Sequence, residues 1–212
     1  MPNWCSTKYV VFTDNDDKTV LQRFYNNLTA VLNTPSDTKN SFDSGCLSYV
    51  AIKHGLNGED IPCRGTIEYL GEYESGESFL SFETETAWGP CDELWDTIIG
   101  QYEGVSHVYI SEEPGMGYFV NTDTDGRFLP EKYLLDLSGD EFIPDGWYSN
   151  CLTKPTCLEE HVYFDSFEGL MDYCTNITGK EFATLEELRD YFSSIFDEDS
   201  NVIAVVREFT ET

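Results

Sequence analysis

The chain has 212 residues, enough for one large domain or two small ones, and its forty acidic side chains face only twelve basic ones, for a formal net charge of −28. Hydrophobic residues make up 40% of it and aromatic residues 15%, which excludes a disordered acidic chain, because such chains are poor in aromatic residues. The charge also disfavours direct binding to nucleic acid or to an anionic membrane, and it predicts a basic protein surface as the partner.

The first predicted elements are a strand over residues 8–13 and a helix over residues 20–32, where apolar side chains recur at helical spacing. Three aspartates stand between the two elements. They suit the first turn of the helix, where free N–H groups and the helix dipole favour negative charge. A polar loop over residues 34–44 and a short helix over residues 46–54 follow.

The middle of the chain predicts a β-rich region. Two strand-like runs are joined by a turn at residues 74–77, and a helix begins at Pro90, which suits a first helical turn. Three more strands follow, and Asp125-Gly126 predicts a hairpin turn between the last two. The predicted strands cover residues 66–73, 78–85, 106–111, 116–122 and 127–135.

The rest of the chain predicts a loop over residues 138–157 and then the order strand, helix, helix, strand. These elements cover residues 161–164, 167–174, 184–196 and 201–209. Thr184 and Glu187 form a capping box, which fixes the start of the second helix. The element order of the whole chain predicts an α+β fold, and the first part is close to a split β-α-β arrangement, an antiparallel sheet with helices on one face.

Three segments together resemble a known family. Residues 1–5 (MPNWC) lead into the first strand, residues 86–90 (TAWGP) lie between a strand and a helix, and residues 112–118 (EEPGMGY) follow the next strand. In this order and spacing they resemble the YubB ferredoxin-like family of phage and conjugative-plasmid proteins, over about residues 1–135. Cys91 departs from that pattern, because the family usually has a second proline there. Phe119 and Val120 also depart from it, because the family tends to have smaller residues there.

The resemblance implies a ferredoxin-like antiparallel sheet with helices on one face for residues 1–137, and an origin on a mobile element. Residues 138–212 cannot be matched to the family, and they predict a β-α-α-β extension or a small second domain. The family has no established activity, so the resemblance supplies a context. That context favours proteins that act on host machinery, including inhibitors of defence systems.

Two tryptophans lie in the motifs that carry the resemblance. Trp4 and Trp88 are interpreted as core or sheet-face residues, and their motifs as a packing of the first strand against the Ala-Trp turn. The glycine-rich residues 114–117 predict a turn that needs backbone freedom, since glycine permits positive φ.

The cysteines and the hydropathy predict where in the cell the protein is found. Seven cysteines, an odd number with no CxxC pair, indicate free thiols in a reducing cytoplasm. No signal-peptide pattern is visible, and no apolar run approaches the roughly 18 residues that span a bilayer. We therefore expect a protein of the host-cell cytoplasm.

The acidic residues are unevenly distributed. Between Arg64 and Arg127 the sequence has fourteen acidic residues and no lysine or arginine. Several alternate along predicted strands, so carboxylates on one face would lie about 6.8 Å apart, loosely comparable with a nucleic-acid backbone. Like charges that lie close together across a hairpin destabilise it, which suggests that these residues were selected for something other than stability. An acidic face that serves only solubility or salt adaptation is the simpler alternative.

Ten of these carboxylates form the predicted partner-binding site, where they would pair with lysine and arginine side chains that normally hold phosphates. The first group comprises Glu68, Glu72, Glu74, Glu77, Glu83 and Glu85. The second group comprises Asp92, Glu93, Glu112 and Glu113.

The leading hypothesis is an acidic phage or plasmid protein that binds and inhibits a host nucleic-acid-directed defence factor, such as a CRISPR or restriction complex. It would do so by nucleic-acid mimicry or by occluding a basic groove. One alternative is an interaction or scaffold module that binds through exposed aromatic residues and is acidic only for solubility. A second alternative is an enzyme of unrecognised type that uses a carboxylate pair.

Signals for catalysis, cofactors and metals are weak, so the sequence predicts no enzyme activity, no cofactor and no metal. Asn121, Asp123 and Asp125 resemble the opening of a calcium loop, but Lys132 takes the place of its bidentate glutamate, and a hairpin turn is the better interpretation. The three histidines lack metal-ligand spacing. A thiol–imidazole pair of Cys5 with a distant histidine is a chance arrangement in a chain with this many cysteines.

Overall fold

The computed structural model describes residues 3–34, 45–57, 61, 64–139, 143–149, 158–195 and 203–211. These residues form two antiparallel sheets and five helices, so the predicted α+β class is confirmed. The chain divides into two compact units between Asp123 and Thr124, nearer the N-terminus than the boundary predicted after residue 137. None of the helices in the described ranges is long and apolar enough to cross a membrane.

The first unit is built on a five-stranded antiparallel sheet. Its strands are β1 (Trp4–Phe12), β2 (Gly65–Leu70), β3 (Phe79–Ala87), β4 (Ser106–Glu113) and β5 (Tyr118–Asn121). Its helices are α1 (Thr19–Leu32), α2 (Leu47–Lys53) and α3 (Asp92–Ile99). The strand order in the sheet is β2-β3-β1-β4-β5, so the N-terminal strand lies in the middle.

The three helices of this unit pack on one face of the sheet. Successive strand residues point to opposite faces, and in β1 the buried members Tyr9 and Val11 belong to the core on the helix side. Tyr9, Phe82 of β3 and Trp95 of α3 are fully buried, with the Tyr9 and Phe82 ring centroids 5.0 Å apart and those of Phe82 and Trp95 4.4 Å apart. The helix α1 contributes its apolar stripe of Leu21, Phe24, Leu28 and Val31.

The second unit has a three-stranded antiparallel sheet and two helices. Its elements are β6 (Tyr133–Gly139), β7 (Leu158–Phe164), α4 (Phe167–Thr178), α5 (Leu185–Ile195) and β8 (Ile203–Glu208), with the strand order β7-β6-β8. The predicted capping box is present at the start of α5. The backbone N–H of Glu187 donates to Thr184 Oγ1 at 3.1 Å, and the Glu187 carboxylate accepts from the backbone N–H of Ala183 at 2.8 Å.

The hairpin predicted around Asp125-Gly126 is wrong. Gly126 does adopt the left-handed conformation of a turn, with φ of 64°, but the next strand begins only at Tyr133. That strand, β6, pairs with β7 and β8 in the second unit, while β5 pairs with β4 in the first. The strand at the centre of the second sheet therefore has partners far away in the chain, which a local turn pattern cannot reveal.

Some predictions fall outside the described residues. These are most of the loops over residues 34–44 and 138–157, the first two residues of the MPNWC segment, and Cys63, Cys151 and Cys157. The other four cysteines are free thiols, as predicted: Cys5, Cys46, Cys91 and Cys174.

Candidate functional site

The β2–β3 hairpin carries all six glutamates of the first predicted group. Its residues 65–87 contain these six carboxylates and no lysine or arginine. Five of the six side chains are exposed, and Glu85 is partly buried. The first group therefore lies on one continuous piece of structure, as the sequence pattern required.

The arrangement of these glutamates differs from the predicted ridge. β2 ends at Leu70, so Glu72 and Glu74 lie beyond the strand, in the loop of the hairpin. A hydrogen bond within the loop closes it: the backbone N–H of Glu74 donates to Glu77 Oε2 at 2.8 Å. The bulge in β2 beside Ile67 also takes Glu68 out of register with β3. The prediction of a paired strand ridge is wrong for these residues, which form an acidic loop instead.

Glu83 and Glu85 do share one face of β3, the face opposite the helices. Lys8 of β1 lies directly across from Glu83, and Ser6 lies across from Glu85. Directly opposite residues in an antiparallel pair have Cβ atoms about 5 Å apart, so the Lys8 ammonium is within reach of Glu83. One cation from the middle strand therefore interrupts the negative charge of this face.

The second predicted group is divided between three environments. Asp92 and Glu93 are exposed in the first turn of α3, where the backbone N–H of Glu93 donates to Asp92 Oδ1 at 2.9 Å. Glu112 of β4 is partly buried and pairs with Ser6 on the same sheet face as Glu85. Glu113 points to the other face and belongs to the interior.

Glu113 cannot contact a partner, and its inclusion in the predicted site is wrong. Its side chain is only 1% exposed, and its two carboxylate oxygens accept hydrogen bonds from the backbone N–H groups of Gly115 at 3.0 Å and Met116 at 2.6 Å. These bonds hold the turn at residues 114–117, in which Gly117 has φ of 69°. The alternation of β4 turns this residue inward, so its role is to shape the turn.

The three segments that carry the family resemblance meet at one end of the first sheet. Trp4 pairs with Ala87 in the register of β1 and β3, and the backbone N–H of Trp88 donates to the carbonyl of Asn3 at 2.9 Å. The third segment adjoins the first through Gly115, where an added Cβ would lie 2.6 Å from Asn3 Nδ2. The predicted packing of the first strand against the Ala-Trp turn is therefore seen.

Two tryptophans and a methionine are exposed at this end of the sheet. The exposed fractions are 49% for Trp4, 52% for Trp88 and 61% for Met116, and we call this surface the tryptophan end. Neither tryptophan is a core residue. Trp88 also has φ of 76°, a left-handed conformation that is unfavourable for a side chain of this size. The sequence gives no signal of this exposure, because tryptophan is on average highly buried.

Behind the tryptophan end lies a buried group of small polar side chains. Ser111 Oγ is 3.0 Å from Cys5 Sγ and 2.8 Å from Thr7 Oγ1, and all three residues are buried on the helix side of the sheet. Burial raises the pKa of the Cys5 thiol, and these hydroxyl contacts offset the shift only in part. A buried thiol whose pKa is raised has the character of a structural group rather than of a nucleophile.

The described residues give no support to the calcium-loop pattern. Asn121 Oδ1 accepts a hydrogen bond from the backbone N–H of Asp123 at 2.9 Å, which is a local turn contact. Within the part of the chain that the structure describes, no group of three His, Cys, Asp or Glu side chains could hold a metal ion.

A polar cleft of about 620 Å³ lies between the start of α1 and the tip of the acidic hairpin. Its cations are already engaged, because Lys18 Nζ donates to the carbonyl of Thr13 at 3.1 Å and the Arg23 guanidinium lies 5.3 Å from the centroid of the Tyr102 ring. The carboxylates among its lining residues, Asp16 and Asp17, are exposed. The described lining of this cleft thus holds no buried carboxylate pair, the feature that would favour the enzyme alternative.

The surroundings of His107 predict a pH dependence for the stability of the first unit. Burial lowers the pKa of its imidazole below the ordinary value of 6.5, and the carboxylates of Asp96 and Asp92 offset this only in part. Asp96 Oδ1 is 3.5 Å from Nε2, but water screens that well-exposed carboxylate. The unfolded chain therefore takes up a proton at higher pH than the folded protein does. The stability that neutral His107 contributes is present above pH 6.5 and is lost as the pH falls below it.

We expect the wild type to lose free energy of unfolding relative to H107Q between about pH 7.5 and about pH 5. Urea unfolding of both proteins at the two pH values measures this. The neutralisation of carboxylates affects both proteins alike, so the difference between them isolates the imidazole. A difference that does not change with pH would contradict the assignment.

No family model, no curated protein and no solved structure matches this chain.

Proposed function

We propose that this chain is a phage or plasmid protein that binds a basic surface of a host nucleic-acid-directed defence factor and inhibits that factor by occupying its nucleic-acid site. The observation that carries the proposal is the β2–β3 hairpin, which presents six glutamates and no cation. A protein groove lined with lysine and arginine is the surface that such a hairpin complements.

The electrostatics favour a protein partner over nucleic acid itself. A net charge of −28 repels phosphate backbones and attracts basic grooves, and it speeds the encounter with them. Glu83 and Glu85 lie about 6.8 Å apart along β3, a spacing in the range of successive phosphates. Lys8 limits the length of this row, so the exposed loop with Glu72, Glu74 and Glu77 is the larger part of the proposed contact.

The strand order supports the fold that the family resemblance implies. In the first unit the order β2-β3-β1-β4, with every neighbouring pair antiparallel and the helices on one face, is the arrangement expected of a ferredoxin-like sheet, and β5 is added at its edge. The proposed origin on a mobile element rests on the YubB resemblance of residues 1–135. We assign β7, α4, α5 and β8 to the proposed C-terminal extension, with β6 as their central strand.

The test is an affinity capture from bacterial lysate with a matched pair of variants. In the first variant Glu72, Glu74, Glu83 and Glu85 are replaced by glutamine. In the control, four exposed acids of the second unit are replaced by their amides, which changes the net charge equally: Glu159, Asp172, Glu181 and Asp190. We expect the wild type and the control to retain a nucleic-acid-binding complex at about 0.1 M salt and to release it at about 0.5 M salt.

The hairpin variant should retain at least tenfold less of the same complex, and duplex DNA should displace the complex from the wild type. A tenfold loss of affinity corresponds to about 1.4 kcal/mol. Four lost charge pairs at about 0.5 kcal/mol each would cost about 2 kcal/mol, so a loss of at least tenfold is expected. Equal retention by the hairpin variant and the control would show that the hairpin is not the contact.

An interaction module is the second candidate, and the tryptophan end favours it. Exposed tryptophans are typical anchors of protein interfaces. Contacts of this kind are apolar, so such a complex would survive about 0.5 M salt and would not be displaced by DNA.

A further inference from the structure

We infer that the tryptophan end is an arginine-binding platform, on which guanidinium groups of the partner stack against the indole rings of Trp4 and Trp88. The inference rests on the proposed function and specifies the chemistry of its partner, since arginine is the residue with which proteins most often hold phosphates bidentately. It assigns to the end of the sheet a role separate from that of the acidic hairpin.

The two indoles are exposed, and their polar atoms are unused. Each side chain is about half exposed, and among the described residues neither indole N–H has a hydrogen-bond acceptor and neither ring has a stacking partner. The backbone beneath them is firmly held. The N–H of Trp88 bonds to Asn3, and Thr86 Oγ1 donates to the carbonyl of Gly89 at 2.7 Å, which closes the turn on its other side.

Carboxylates lie beside this apolar surface in the sheet and follow it in the sequence. On the face that carries Trp4, the next row of side chains consists of Glu85, Ser6 and Glu112, about 6.8 Å further along the strands. Asp92 and Glu93 are exposed shortly after Trp88. A cation that stacks on either ring therefore enters a region of negative potential.

This combination selects arginine over other occupants. A second copy of the chain would bring a net charge of −28 against the same charge, and nucleic-acid bases would bring phosphates. A guanidinium can lie flat on an indole and still donate hydrogen bonds to a carboxylate beside it, which an ammonium cannot do as well. The chain already holds a guanidinium over an aromatic ring, with Arg23 5.3 Å from the Tyr102 ring centroid.

The conformation of Trp88 fits a binding role. A positive φ is most easily adopted by glycine, so a tryptophan at this position is unfavourable for the backbone. Replacing Trp88 by glycine removes the ring and relieves the backbone at once. We therefore expect W88G to unfold at a urea concentration no lower than the wild type does, while it loses one of the two rings of the platform.

The experiment compares fluorescent oligo-arginine and oligo-lysine peptides of equal length as probes of the full chain. At about 0.1 M salt we expect the wild type to bind the arginine peptide about fivefold more tightly than the lysine peptide, because a guanidinium gains a ring contact that an ammonium gains less well. In W4A/W88A this preference should fall to near one, and in W88G, which keeps the Trp4 ring, it should fall to about twofold. In Y163A/F167A, a control that removes two exposed aromatic rings of the second unit, it should remain about fivefold.

The outcomes separate this inference from the proposed function. An equal affinity of the wild type for the two peptides, or an arginine preference that survives W4A/W88A, would overturn the platform. In that case, salt-sensitive binding that weakens when the four hairpin glutamates are replaced by glutamine would still support the proposed contact through the β2–β3 hairpin. Loss of the preference in W4A/W88A, with the preference intact in Y163A/F167A, would establish the platform.

Discussion

Replacement of Trp95 by alanine is expected to lower the free energy of unfolding by about 4 kcal/mol, the range found for large aromatic residues removed from a packed core. The side chain is fully buried, and its ring meets both Tyr9 and Phe82, at centroid distances of 5.7 Å and 4.4 Å. Truncation would leave a cavity between α3 and the strands β1 and β3. Urea unfolding followed by far-ultraviolet circular dichroism measures the loss.

W95F is the matched control. Trp95 Nε1 is buried without a hydrogen-bond partner among the described residues, so phenylalanine removes an unsatisfied N–H together with part of the ring. We expect W95F to cost only about 1 kcal/mol, since the smaller cavity is offset by the loss of that polar group. A loss of less than about 1 kcal/mol in W95A would mean that α3 does not pack on the sheet as described.

Replacement of Glu113 by alanine is expected to lower the free energy of unfolding by about 2 to 3 kcal/mol, because two charge-assisted hydrogen bonds to backbone N–H groups are lost together. E113Q should fall between alanine and the wild type, since its amide keeps one acceptor oxygen for Gly115 or Met116. The same urea experiment measures both variants.

The control for Glu113 is an exposed acid elsewhere in the first unit. E103A removes the same charge from a solvated loop position and should change the free energy of unfolding by less than about 0.5 kcal/mol. If E113A proved as mild as E103A, the carboxylate would not be what holds the turn at residues 114–117.

The local parts of the fold could be predicted from the sequence, because local chemistry determines them. The apolar spacing in α1 and the Thr184–Glu187 capping box depend on residues within a few positions of one another, and both are present in the structure. The position of β6 could not be predicted in this way. Its partners lie at Leu158–Phe164 and Ile203–Glu208, and their pairing is decided by packing across the whole second unit.

The candidate site was predictable only in part, for a similar reason. The lack of cations in residues 65–87 is visible in the sequence, and it does place six glutamates on one hairpin. The inward direction of Glu113 depends on the register of β4 against β1, and a shift of one residue would have turned it outward. The exposure of Trp4 and Trp88 likewise depends on where the strands end.

The central place of β1 in its sheet has a consequence for synthesis on the ribosome. β1 is translated before β3 and β4, and its pairing is complete only once Glu112 has been added. The apolar run Tyr9–Phe12 must therefore stay unpaired while the roughly one hundred residues up to Glu112 are translated. The excess of negative charge keeps the unpaired segments of neighbouring nascent chains apart, so we expect the acidity to reduce co-translational aggregation as well.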